Sequence, residues 1–129
     1  MPYYRRNIEV LKDLVRAFSF HVVQLSRIVR EDGESVLSSQ FLRSGTSIGA
    51  NIAEGCYAQT RSDAIAKFYI AQKEAAETLY WLDLFEDMGL IAPGRPYAGI
   101  RKECMKVLEV LGKVLKAQCK ARDREREND

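Results

Sequence analysis

The sequence predicts an all-α chain folded as an up-down-up-down four-helix bundle. Three observations lead there. Apolar residues recur at alternating intervals of three and four in four stretches of similar length, which is the period of a helix burying one face. The interruptions between them are short and carry glycine, proline or aspartate. No strand-like alternation competes, and four such helices joined by short loops pack most simply as antiparallel neighbours.

The first helix is expected over about residues 5 to 31. Ile8, Leu11, Val15, Phe18, Val22, Leu25 and Val29 form its seam, with Leu14, His21 and Ile28 beside it. Asp32 and Gly33 break the pattern, and a second helix begins near Ser35 and ends around Gly55. Thr60 and Asp63 offer a capping-box start to a third helix, in which apolar residues cover more than one stripe. Ile65, Phe68, Gln72, Ala75, Leu79 and Leu82 make one seam, with Ile70, Trp81, Leu84 and Met88 nearby, so burial on several sides is expected. Gly89 and Leu90 suit a C-cap, and Pro93, Gly94 and Pro96 exclude helix until about Tyr97. The fourth helix then carries Tyr97, Ile100, Cys104, Val107, Leu111, Val114 and Gln118 on its inner seam. A single domain over residues 1–122 is followed by a polar tail, 123–129, expected to fray.

Within the second helix, SIGANIAEG sets two glycines, an asparagine and a glutamate among apolar residues. On a wheel of 100° per residue the helix divides into three arcs. Leu37, Phe41, Ile48 and Ile52 face the core. Gly45, Gly49 and Ala53, continued by Thr46 and Ala50, form a small-residue arc. Each interior glycine costs about 0.8 to 1 kcal/mol of helix propensity against alanine, so a compensating close approach by another helix is expected there. Gln40, Arg43, Ser44, Ser47, Asn51 and Glu54 make the third arc. Its short hydrogen-bonding side chains suit an interface, while a plain solvent face is the alternative. Gly45, Ser47, Gly49, Asn51, Ala53 and Glu54 are therefore the candidate oligomer or helix-packing residues.

Composition narrows the function classes. The 129 residues are 47% hydrophobic, enough for one core, and 20 basic against 18 acidic residues leave a net charge of +2. The N-terminus MPYYRRNIEV lacks an apolar signal region, and no apolar run approaches a membrane span of roughly 18 residues, so a soluble, cytoplasmic protein is expected. The three cysteines form no CxxC pair, and Cys104 and Cys119 on one helix stand roughly 22 Å apart at about 1.5 Å per residue. With His21 the sole histidine, neither common zinc sets nor diiron Glu-x-x-His pairs are available, and no metal or cofactor is expected. Phosphate loops, nucleophile elbows and Cys/His dyads are likewise missing. Glu54, Glu74 and Glu77 are the one carboxylate group that could converge across helices two and three, but solvated or ion-paired roles are the commoner fate of such residues.

SSQFLRSGTSIGANIAEG, an alanine-rich helix with Glu77, and then LFEDMGLI resemble the bacterial four-helix-bundle proteins first noticed as reading frames inside intervening sequences of large-subunit ribosomal RNA genes. The likeness spans nearly the whole chain, and Ser47, Ile48, Asn51, Ile52, Ala53, Glu54 and Gly55 carry its pattern. The resemblance implies a homo-oligomer, commonly a pentameric ring, with no established catalytic activity. A more distant similarity, to the accessory protein of diversity-generating retroelements, implies a basic pentamer that contacts reverse transcriptase and nucleic acid. Where the family has a small Gly-Ser pair in the third helix, this chain has Lys73 and Glu74.

Charge is unevenly distributed. Residues 95–122 hold eight basic and two acidic residues, whereas 63–87 hold six acids and two lysines. Lys102, Lys106, Lys113, Lys116 and Lys120 fall on one outward stripe of the fourth helix, interrupted by Glu109. Either they solvate that face or they meet a polyanion, and repetition in an oligomer would make the stripe a continuous basic surface. No aromatic residue is interleaved, so contact would be with phosphates rather than bases. The expected function is a non-enzymatic oligomeric adaptor presenting a basic surface to RNA, DNA or a protein that handles them. A purely protein-binding ring, and a small-ligand site or enzyme around Ser47, Asn51 and Glu54, are the alternatives.

Overall fold

Four helices form where the periodicity places them: α1 (Tyr3–Glu31), α2 (Ser35–Cys56), α3 (Arg61–Asp87) and α4 (Ile100–Glu127). The computed structural model describes residues 3–95 and 97–128, so Pro96, one of the helix breakers named above, lies outside the described residues, as do Met1, Pro2 and Asp129. No strand occurs among those described.

The turns are set by local chemistry. Gly33, at φ +93°, ends α1 with its N–H on Arg30 O (3.0 Å), while Glu34 N–H reaches back to Val29 O (3.2 Å). Gly89, at φ +77°, ends α3 in the same way, through Glu86 O (3.0 Å) and Leu90 N–H to Phe85 O (2.9 Å). Both satisfy the last carbonyls in a left-handed conformation that costs glycine nothing sterically. At the other end of α3, the Thr60 side chain accepts from Asp63 N–H (3.1 Å), the expected cap.

Each helix packs on two neighbours: α1 on α2 and α4, α3 on α2 and α4, with the diagonal pairs held apart by the core. That is the up-down-up-down arrangement. Leu11, Phe18, Val22 and Leu25 from α1 meet Phe41, Ile48 and Ile52 from α2, Phe68, Leu82 and Phe85 from α3, and Ile100, Leu111 and Val114 from α4, all essentially solvent-free. Phe41 and Phe85 meet edge to face, with centroids 5.1 Å apart.

Three expectations need correction. Helix α3 buries one face rather than several: Ala64, Ile65, Phe68, Ala71, Ala75, Thr78, Leu82 and Phe85 point inward, while Ile70 and Met88 are exposed. Of the second apolar stripe, Trp81 and Leu84 are only half-buried, with Trp81 packed against the core. Tyr97 is not in the first turn of α4. Its φ of 62° lies outside helical geometry, and the helix starts at Ile100 after a Tyr97 O to Ile100 N–H bond of 3.0 Å. The polar tail expected to fray after residue 122 is described as helix, α4 continuing to Glu127. Arginine and glutamate are good helix formers, and Arg61 of α3 anchors this last stretch through Glu125 (2.8 Å).

Candidate functional site

The small-residue arc of α2 is built against α1. A Cβ placed on Gly45 would fall 2.6 Å from Val22 Cγ1, and one on Gly49 would fall 3.2 Å from Ser19 Oγ. Gly55, at the end of the helix, lies under Phe68 of α3, where a Cβ would meet Cε1 at 2.5 Å. The close approach that two interior glycines call for is therefore made within the chain. Along the same two helices runs an open groove of about 510 Å³, floored by Gly49, Ala50 and Ala53 and flanked by Glu9, Lys12, Asp13 and Arg16 of α1. Ala50 and Ala53 are exposed there.

The polar arc is largely self-satisfied. Ser47 Oγ donates to Arg43 O (2.7 Å), and Asn51 Nδ2 donates to Ser47 O (2.8 Å), both one turn back on α2. Ser47 and Asn51 are half-buried and Glu54 is exposed. Ser44, grouped with them by the helical wheel, is instead fully buried and accepts from Thr78 Oγ1 (3.0 Å). Ser38 is buried too and donates across to Ser26 O on α1 (2.6 Å). Sequence reading missed Ser38 and Thr78 as core residues. The available signal was their position in register with Phe41 and with Ala75 and Leu82.

The three carboxylates do not form an acid–base group. Lys67 holds Glu54 (2.9 Å), while the Arg43 guanidinium binds Glu74 (3.2 Å) and Glu77 together across the α2–α3 seam. Trp81 Nε1–H also donates to Glu77 (3.1 Å), and this bond, with Arg43, holds the Glu77 carboxyl below the usual carboxylate range. Glu74, at one of the positions where the family pattern is departed from, thus has its countercharge, and Lys73 beside it is exposed. His21 Nδ1 lies 2.6 Å from Glu103 of α4, with the Tyr97 ring 5.8 Å away and Tyr97 Oη donating to Gln24 (2.6 Å). Among the described residues, no group of three or more His, Cys, Asp or Glu side chains is placed to hold a metal ion. Cys56, Cys104 and Cys119 are all free thiols.

Lys102, Lys106, Lys113, Lys116 and Lys120 are all exposed. At 100° per residue they fall within an arc of about 80° on the outer face of α4. Glu109 pairs with Lys106 (3.4 Å) and Lys113 (3.6 Å), and these contacts depress its own pKa. Lys102, Lys116 and Lys120 have no ion-pair partner among the described residues. The other acid of this segment, Glu103, is turned toward His21. The structure thus brings the five lysines to one face, on the helix diagonally opposite α2. No helix among the described residues is long and apolar enough to cross a membrane.

No curated protein matches the chain. Among solved structures, it is similar to a protein of unknown function from the S23 ribosomal protein family of Bacteroides thetaiotaomicron VPI-5482, with 41% sequence identity and a TM-score of 0.79 over 85% of this chain and 98% of that one. Neither that description nor the matching family's names a catalytic activity. The sequence profile of the 23S rRNA-intervening sequence proteins matches residues 6–113, from the start of α1 to the middle of α4, and the chain belongs to that family.

Proposed function

We propose that the protein is a non-enzymatic homo-oligomeric adaptor, with five subunits as the expected number, whose α4 lysine face contacts the phosphate backbone of nucleic acid. The observation that carries the reading is the lysine stripe itself. Five exposed ammonium groups share one narrow face, a single carboxylate interrupts them, and three have no ion-pair partner among the described residues. Solvation alone does not require such segregation, whereas a polyanion rewards it by counterion release. Oligomerisation and the subunit number rest on the family resemblance and on the apolar face that α3 leaves open. The family name ties the gene to ribosomal RNA loci, which makes RNA the first ligand to try.

The engagement of Ser47 and Asn51 with their own backbone, and of Glu54 with Lys67, argues against a small-ligand pocket on α2. The test is binding of the full-length protein to single- and double-stranded RNA at low and at physiological salt. Affinity should fall steeply with added salt. No RNA or DNA binding at low salt would overturn the nucleic-acid reading and leave a protein-binding ring.

A further inference from the structure

The outer face of α3 is apolar in a way its solvent position does not explain. Ala66, Tyr69, Ile70, Ala76 and Tyr80 are all exposed, and at 100° per residue they lie within an arc of about 120°, centred opposite the buried face. Tyr80 is 62% exposed and Tyr69 47%. Two charges fall inside this ridge: Lys73, which has no ion-pair partner among the described residues, and Glu77, which Arg43 and Trp81 hold. Such a face marks an interaction surface.

The same chain carries a matching concavity. The α1–α2 groove has a floor of Gly49, Ala50 and Ala53, small enough to admit a helix closely. On its α1 wall Glu9 is paired with Lys12 (3.8 Å), which leaves Asp13 as the carboxylate with no cation partner among the described residues. The lengths agree. From Glu9 to Ser19 the wall runs about 15 Å, and from Tyr69 to Tyr80 the ridge runs about 16 Å, at about 1.5 Å per residue.

We infer that the α3 ridge of one copy, with Lys73 toward Asp13, seats in the α1–α2 groove of a second copy. This rests on the proposal that the protein is a homo-oligomer and names the surfaces that join it. Ridge and groove lie on different faces of the subunit, so the contact is heterologous and propagates from copy to copy into a closed ring or an open chain. The α4 lysine face belongs to neither surface and stays free.

The test is a charge swap read by light scattering and sedimentation of the full-length protein at micromolar concentrations. Lys73→Glu and Asp13→Lys should each reduce the mass to that of smaller species, with helicity by circular dichroism unchanged. The double variant K73E/D13K should regain the wild-type mass. If both single variants keep the wild-type mass, the interface lies elsewhere while the oligomer itself stands. If the singles dissociate and the double does not recover, the Lys73–Asp13 pairing is overturned. A monomeric wild-type protein overturns both this interface and the oligomeric reading.

Discussion

Gly45 of α2 lies directly beneath Val22 of α1, so close that a Cβ at residue 45 would stand 2.6 Å from Val22 Cγ1. Val22 is completely buried and, being β-branched, has little rotamer freedom with which to yield. Two helices of one subunit thus touch at a glycine, and the position has a specific consequence for stability.

Gly45→Ala should destabilise the fold even though alanine is the better helix former. The propensity gain is about 1 kcal/mol, whereas overpacking a rigid contact costs about 1 to 3 kcal/mol. Gly112, in the interior of α4, provides the contrast, because a Cβ there meets nothing within 4 Å. Gly112→Ala should therefore stabilise by up to about 1 kcal/mol. Thermal melts of the two variants should move in opposite directions from wild type, by roughly 2 to 6 °C each. A Gly45→Ala variant that melts at or above the wild-type temperature contradicts the close-approach account.

Glu77 ties stability to acid. Its folded pKa is depressed, first by the Trp81 N–H bond and then by Arg43, so the stabilisation is present above the unfolded pKa and lost as pH falls through the folded value. The window starts near the ordinary glutamate pKa of about 4.3 and extends below it. Because the site is more than one-third exposed, the contribution is expected to be under about 1 kcal/mol. Trp81 is the only tryptophan, so its fluorescence reports this carboxylate directly. A fluorescence transition below about pH 4.3 that disappears in Glu77→Gln is the expected result, and a transition unchanged by that substitution would assign it to another group.

The cysteines should separate by reactivity. Cys104 is buried among core residues, with Sγ 3.7 Å from Ala75 O, and burial pushes its thiol pKa up to about 12. The thiolate is the reactive form, so a thiol reagent at about pH 8 should leave Cys104 unmodified until the bundle unfolds. Cys56 is exposed at the end of α2 and should react first, although partial burial raises its pKa as well. Mass spectrometry of partially labelled protein gives the order, and early labelling of Cys104 would mean that the core opens readily.

Much of this architecture is legible in the chain. Four seams of apolar residues, Thr60 with Asp63, and Gly33 and Gly89 determine helices and turns through local chemistry, and local chemistry is what a sequence displays. What stays hidden depends on tertiary partners. Ser44 and Ser47 are both serines on one helix three residues apart, yet Ser44 is buried on Thr78 while Ser47 bonds only to its own helix. The helical wheel puts Arg43 in a polar arc, but its role as a clamp on Glu74 and Glu77 exists only once α3 is alongside. The same holds for α3, whose two apolar stripes suggest burial on both sides until the bundle closes with Ile70 and Met88 exposed and Trp81 and Leu84 only half-buried.

The lysine stripe makes a prediction with two signs. Lys102, Lys116 and Lys120 have no ion-pair partner among the described residues, so changing all three to glutamine should leave the fold intact, since substitutions of this kind alter stability by no more than about 0.5 kcal/mol each. RNA binding should weaken, and the slope of log affinity against log salt should become shallower by about 0.7 for each single-strand phosphate that the variant no longer neutralises. Glu109 acts in the other direction. It pairs with Lys106 and Lys113, and removing its charge in Glu109→Gln frees both ammonium groups for phosphate. That variant should bind more tightly than wild type and show a steeper salt slope. A lysine face used only for solvation predicts no change in either variant. Binding that survives the triple substitution with its slope intact would move the contact to another basic surface, with the exposed Arg5 and Arg6 of α1 as the next residues to change.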